Sequence, residues 1–122
     1  MMRIGLLVFR LLLCVGWIAL LWVTMQAVER MSAGAAGAVF FGDFAHPWRA
    51  QFNTDFSLHL LLVAAWLIAR SRSWITGIIC AVLAINLGGL FTLAYILVVS
   101  VQTKGDVQML LLGGLNRAPN RT

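Results

Sequence analysis

Asp55 and His59 stand four residues apart, which sets a carboxylate and an imidazole one turn from each other on one helical face. Arg49 and Asn53 come just before them, and Trp66 extends the same side. Two kinds of chemistry fit that pattern. The pair is a proton-handling or ligand-contacting site, with Asp55 orienting His59 or pairing with Arg49. Alternatively it is an ion pair and a hydrogen bond that close the start of a helix, where the helix dipole already favours an anion. A second group, Asn86, Gly88, Gly89, Thr92 and Tyr95, forms a patch of small and polar residues inside an otherwise apolar run. Small residues let a neighbouring backbone approach closely, and Asn can hydrogen-bond across the contact, so Gly88, Gly89 and Thr92 read as helix packing. Asn86 and Tyr95 can also join Asp55 and His59 in lining a cavity for a small ligand or lipid.

Other chemistries lack their residues. The sequence shows no Ser-His-Asp order, phosphate loop or paired catalytic carboxylates. His46 and His59 do not make a haem or metal set, because metal sites want three or four ligands and His, Cys and carboxylates are few. No catalytic residue, metal or cofactor is therefore assigned. Cys14 and Cys80 both fall inside apolar runs and suggest no disulfide framework.

The elements that must position these residues are legible from hydropathy. Three long apolar stretches, Leu11 to Val28, Phe56 to Ala69 and Trp74 to Val101, fill most of the 122 residues. With 61% hydrophobic and 11% charged residues, the chain lacks the polar exterior of a soluble domain. The first and third stretches, 18 and 28 residues without a charge, reach or approach the ~20 residues that cross a ~30 Å hydrocarbon core. Continuous rather than alternating apolar runs favour helices over a β-barrel. The expected fold is all-α, a single integral membrane domain with three transmembrane helices. These cover residues 8–28, 53–70 and 74–102, the second helix starting near Trp48 or Asn53. Residues 29–52 form an aromatic interfacial loop, 106–113 a short interfacial helix capped by Asp106, and 114–122 a polar tail. Trp48, Arg49 and Trp74 are the expected interfacial anchors.

Nine scattered Lys and Arg produce a net charge of +5 and a pI near 10.7. They flank apolar runs instead of forming a basic stripe, so no nucleic-acid partner is expected. Arg3 and the apolar run behind it resemble a secretory signal, but the run is longer than a usual signal core and reads as an uncleaved helix. With three crossings, Arg3, Arg10, Arg70 and Arg72 share one side, and Arg30, Arg49, Lys104, Arg117 and Arg121 share the other. The dense basic flanks of the first side favour a cytoplasmic N-terminus and an external C-terminus, in the inner membrane of a bacterium.

Several short motifs carry a resemblance: Pro47-Trp48 before the second stretch, Asp55-Phe56, Ala65-Trp66 and Ser73-Trp74-Ile75 after an Arg-containing turn. Leu87-Gly88-Gly89, Ala94-Tyr95-Ile96, Gly105-Asp106 and Leu110-Leu111-Leu112 complete it. Across Trp48 to Leu112 the chain resembles a family of small, uncharacterised three-span membrane proteins, a domain of unknown function found in plants and bacteria. The resemblance implies a topology and no activity. The expected function is that of a non-enzymatic accessory or structural subunit of a larger membrane complex, with the lipid bilayer and other membrane subunits as partners. Two alternatives stand: a binder or carrier of a small hydrophobic ligand (lipid, pigment or isoprenoid), and a small lipid or isoprenoid enzyme using Asp55.

Overall fold

The computed structural model describes residues 2–114, and they are helical almost throughout. Helix α1 runs Met2–Met31, about 45 Å at 1.5 Å per residue. Its unbroken apolar run offers no competing turn until Ser32, whose φ of 72° ends it. Helix α2, Ala35–Gly42, follows, then a 3-10 turn over Asp43–Ala45. Helix α3, Pro47–Arg70, spans roughly 36 Å, with Pro47 in its first turn after an extended His46. Among the described residues, helices α1 and α3 are the two long and apolar enough to cross a membrane.

The segment expected as an interfacial loop is thus largely ordered into helix. Ala35, Ala36 and Ala38 are strong helix formers. Phe40 packs edge-on against Phe41 and Phe44, with ring centroids 5.3 and 5.5 Å apart. The helix expected to begin near Trp48 or Asn53 starts at Pro47, because the fixed proline φ favours a first helical turn.

The larger correction concerns the third apolar stretch, expected as one crossing over 74–102. It forms two 14-residue helices, α4 (Trp74–Leu87) and α5 (Gly89–Gln102), each about 21 Å long and joined by Gly88 alone. At φ 58° and ψ −132°, Gly88 adopts a backbone conformation that L side chains rarely take. Its N–H still closes α4 on the Ala84 carbonyl at 2.7 Å, while its own carbonyl accepts from Phe91 and Thr92 to open α5. The chain therefore reverses with no intervening loop.

Contacts along the helices establish the reversal. Helix α4 runs antiparallel to α3: a Cβ at Gly77 would lie 3.0 Å from the Ile68 Cα, and one at Gly88 3.6 Å from Phe56. Its packing stripe is Gly77, Ala81, Ala84 and Gly88, all buried, set against buried Ala64 and Leu67 of α3. Such small residues allow close backbone approach. Helix α5 then runs antiparallel to α1. Gly89 lies at Leu20, Leu93 at Gly16, Ser100 at Arg10 and Gly105 at Leu6. The end of α5 has thus returned to the end of the bundle where α1 starts and α3 finishes. Here Lys104 lies beside Arg3, not on the side of Arg30 and Arg49 as three crossings require. Helix α6, Val107–Leu112, is capped there by Asp106, whose carboxylate accepts the Met109 amide at 3.1 Å.

Gly88→Ala is expected to cost about 1–3 kcal/mol through backbone strain alone. Gly89→Leu should cost more, since even a Cβ there would sit 2.7 Å from the Leu20 side chain. Gly37→Ala, with nothing within 4 Å, is the control and should not destabilise. Thermal midpoints in detergent check the order, and a Gly88→Ala variant as stable as its parent would refute the reversal.

Candidate functional site

The polar side chains gather at the returning end of the bundle. Arg70, the last residue of α3, points its guanidinium across the ends of α5 and α6. Its Nε donates to the Leu110 carbonyl at 2.9 Å, one terminal nitrogen to Met109 at 3.3 Å, and the other to the Tyr95 hydroxyl. The same cation lies 5.5 Å from the Tyr95 ring centroid and 5.8 Å from that of Trp66. Trp66 meets Tyr95 edge-on and donates its indole N–H to the Leu111 carbonyl at 2.9 Å. Three successive carbonyls of α6, those of Met109, Leu110 and Leu111, are thereby tied to α3, and that of Met109 also accepts from the Gly113 amide at the end of the helix. Gly113 and Gly114 fit against the Arg70–Ser71 backbone, where a Cβ would come within 2.6 and 2.9 Å of carbonyl oxygens.

A second cation, Arg10 of α1, donates from Nε to the Ser100 hydroxyl at 3.0 Å and from a terminal nitrogen to the Ser100 carbonyl at 2.9 Å. Ser100 is fully buried. Nearer the reversal, the Trp17 indole donates to the Leu90 carbonyl at 2.8 Å, tying α1 to the first turn of α5.

The sequence candidates are distributed differently. Asp55 and His59 do approach, with a carboxylate oxygen 3.2 Å from Nδ1, and Nδ1 also lies 2.8 Å from the Asp55 carbonyl. Both side chains are exposed, at 56% and 69%. Arg49 pairs with Asp43 at 3.4 Å, not with Asp55. Asn53 caps the Phe40 carbonyl at 3.0 Å and joins α3 to α2. Asn86 is exposed and donates back to Val82 of its own helix. Tyr95 belongs with Arg70, 15 residues and roughly 22 Å along α3 from Asp55. Asp55, His59, Asn86 and Tyr95 therefore do not line one cavity. Of the packing candidates, Gly88 makes the reversal and Gly89 receives Leu20. Thr92 contributes its backbone amide to the first turn of α5. Trp48 and Trp74 are 75% and 77% exposed. Cys14 and Cys80 are free, and among the described residues no three His, Cys, Asp or Glu side chains cluster to hold a metal ion.

Arg70, Trp66, Arg10 and Ser100 are not legible as a set in the sequence, because arginines that flank apolar runs equally suit lipid headgroups. The available signal was an arginine and a tryptophan four apart at the end of an apolar run, followed 40 residues later by a short capped helix.

These features define a small helical protein with two membrane-length helices and a hairpin of two half-length ones. Residues 6–118 match the family described as "Protein of unknown function (DUF1475)", and the chain belongs to that family. No curated protein and no solved structure matches it.

Arg70→Gln removes the side-chain donor to the Leu110 carbonyl and the bond to the Tyr95 hydroxyl and should weaken α6 docking by about 1.5–3 kcal/mol. Trp66→Phe, which removes one neutral hydrogen bond, should cost about 1 kcal/mol. Amide exchange at Val107–Leu112 reads both, and equal protection losses would mean that the guanidinium is not the principal tie.

Proposed function

We propose that this is a small integral membrane protein acting as a non-enzymatic subunit of a larger membrane complex. One observation carries the reading: the polar residues Asp55 and His59, within α3, and Asn86, at the far end of α4, face outward. Trp48 and Arg70 stand about 33 Å apart along α3, close to the ~30 Å of a hydrocarbon core. Exposed Trp48 and Trp74 suit the two interfaces of such a core. At that placement Asp55 and His59 lie roughly 10 and 16 Å below the Trp48 level, and Asn86 about 18 Å from Trp74. Lipid tails offer these groups no hydrogen bonds, so exposing them there is costly. Polar side chains of a neighbouring membrane helix would satisfy them.

The apolar surface supports the same reading. Among the described residues the buried apolar ones are Leu13, Ala64, Leu67, Ala81, Ala84 and Val99, while residues such as Leu12, Trp22, Leu62 and Ile75 are more than 60% exposed. A chain with so small a core gains from lipid and from partners. The pocket-lining role for Asp55 and His59 has less support, because the space beside Asp55 is a shallow depression along α3 alone, lined by Pro47, Ala50, Gln51, Thr54 and Leu58.

The reversal also bears on the proposed orientation. Arg3, Arg10, Arg70, Arg72 and Lys104 gather at one end, with Asp106 the acid beside them. Arg30 and Arg49 share the other end with Glu29 and Asp43. Five basic residues against two favour a cytoplasmic location for the first end, and with it the start of α1 and the end of α5, in a bacterial inner membrane. Arg117 and Arg121, like the polar tail, lie outside the described residues.

Two measurements test these points. Purified in mild detergent, the protein should carry companion subunits, and Asp55→Leu/His59→Leu/Asn86→Leu should shed them while keeping its helical content. A native chain that elutes alone defeats the subunit reading, and a bound lipid or pigment as the sole companion favours a carrier. For topology, single cysteines at Ser32, Ser71 and Gln102 are introduced with Cys14 and Cys80 replaced by alanine. An impermeant thiol reagent should label Ser32→Cys alone from outside. Labelling of Gln102→Cys together with Ser32→Cys would restore a third crossing.

A further inference from the structure

A groove of about 610 Å³ opens where the start of α1 meets the end of α5 and α6. Its walls are apolar: Leu6 and Phe9 on one side, Leu110 and Leu111 on the other. Arg3 and Lys104 stand on its lining, and both are exposed. Arg10 is not on the lining; it stands behind the groove, bound to the buried Ser100.

None of the three cations has a carboxylate partner, since the ion pairs among the described residues are Arg49–Asp43 and His59–Asp55. No acid lines the groove, and neighbouring Asp106 turns its carboxylate to the Met109 amide. The backbone fixes Lys104 in place. Lys104 and Gly105 both have positive φ, 55° and 82°, and Gly105 presses on Leu6 so closely that a Cβ would meet its side chain at 2.5 Å.

We propose that this groove holds one anionic phospholipid, its phosphate between Arg3 and Lys104 and an acyl chain along Leu6, Phe9, Leu110 and Leu111. Charge complementarity selects the occupant. Two lining cations without an acid leave a net positive site, which favours a lipid of net negative charge over a zwitterionic one. The apolar walls add burial that a free phosphate cannot use. The inference rests on the membrane reading above and is independent of the subunit reading.

The test uses the full chain, first checked for recovery in the membrane fraction and then exchanged into a neutral detergent. Phosphatidylglycerol and phosphatidylcholine are added in turn, and retention is read by native mass spectrometry. One phosphatidylglycerol should remain per chain, in preference to phosphatidylcholine. Arg3→Gln and Lys104→Gln should each reduce that preference about fivefold. Arg72→Gln, at the same end but outside the groove, should leave it unchanged. Equal retention of the two lipids, or an equal loss in Arg72→Gln, overturns the proposal in favour of general surface charge. Displacement of the lipid by millimolar inorganic phosphate overturns the acyl-chain contact. Recovery in the soluble fraction instead overturns the membrane reading and the groove with it, whereas membrane-bound protein without lipid preference overturns the groove alone.

Discussion

The bundle depends on a chain reversal made by one residue in apolar surroundings. Where water is excluded, backbone groups freed at a helix end have few partners, so a turn there must satisfy itself. Gly88 does so by ending α4 on Ala84 and opening α5 through Phe91 and Thr92. Lacking a Cβ, it reaches the required angles and tolerates Phe56 alongside. Trp17 then reaches across from α1 to the Leu90 carbonyl. A continuous helix through this position would carry Lys104 away from Arg3 and separate Tyr95 from Arg70.

Once the chain returns, two kinds of interaction divide the work of holding it. Between the helices, contact is made through small residues: Gly77, Ala81 and Ala84 against α3, Gly89 against Leu20 of α1, and Gly16 against Leu93 of α5. These contacts set distance but contribute little side-chain specificity. Specificity comes from the charged end, where Arg10 grips Ser100 and Arg70 grips Tyr95 and the carbonyls of α6. Charge-assisted hydrogen bonds are stronger than neutral ones and more so with water excluded, so two arginines suffice to fix the ends of four helices. The opposite end has lighter ties, the Asn53–Phe40 hydrogen bond, the Arg49–Asp43 pair and the edge-on rings of Phe40, Phe41 and Phe44.

This arrangement separates the structural polar residues from those left over. Arg10, Trp17, Trp66, Arg70, Tyr95 and Ser100 are occupied in joining helices. Asp55, His59 and Asn86 bond only within their own helices and face outward. The proposed subunit role draws on that second set, and the proposed lipid groove draws on cations that the first set leaves without counter-ions.

Much of the fold was legible because hydropathy is a local property. An all-helical chain, the end of α3 at Arg70, the Arg70–Ser73 turn, the end near Gln102 and the short helix after Asp106 all follow from apolar run lengths and turn or cap residues. The pairing of Asp55 with His59 follows from helical spacing. The course of the third stretch was not legible, because Leu87-Gly88-Gly89 is compatible both with close packing inside a continuous helix and with a reversal between two. Only the backbone angles at Gly88, supported by Leu20 and Trp17 from the far end of the sequence, decide between them. The same limit hid the Arg70 cluster: an arginine at the end of an apolar run looks like a headgroup anchor until a reversal brings Tyr95 and the α6 carbonyls to it. Sequence alone set the helices and their apolar character, and tertiary structure decided which ends meet, because that depends on contacts between residues far apart in the chain, from Arg70 with Tyr95 to Leu6 with Gly105.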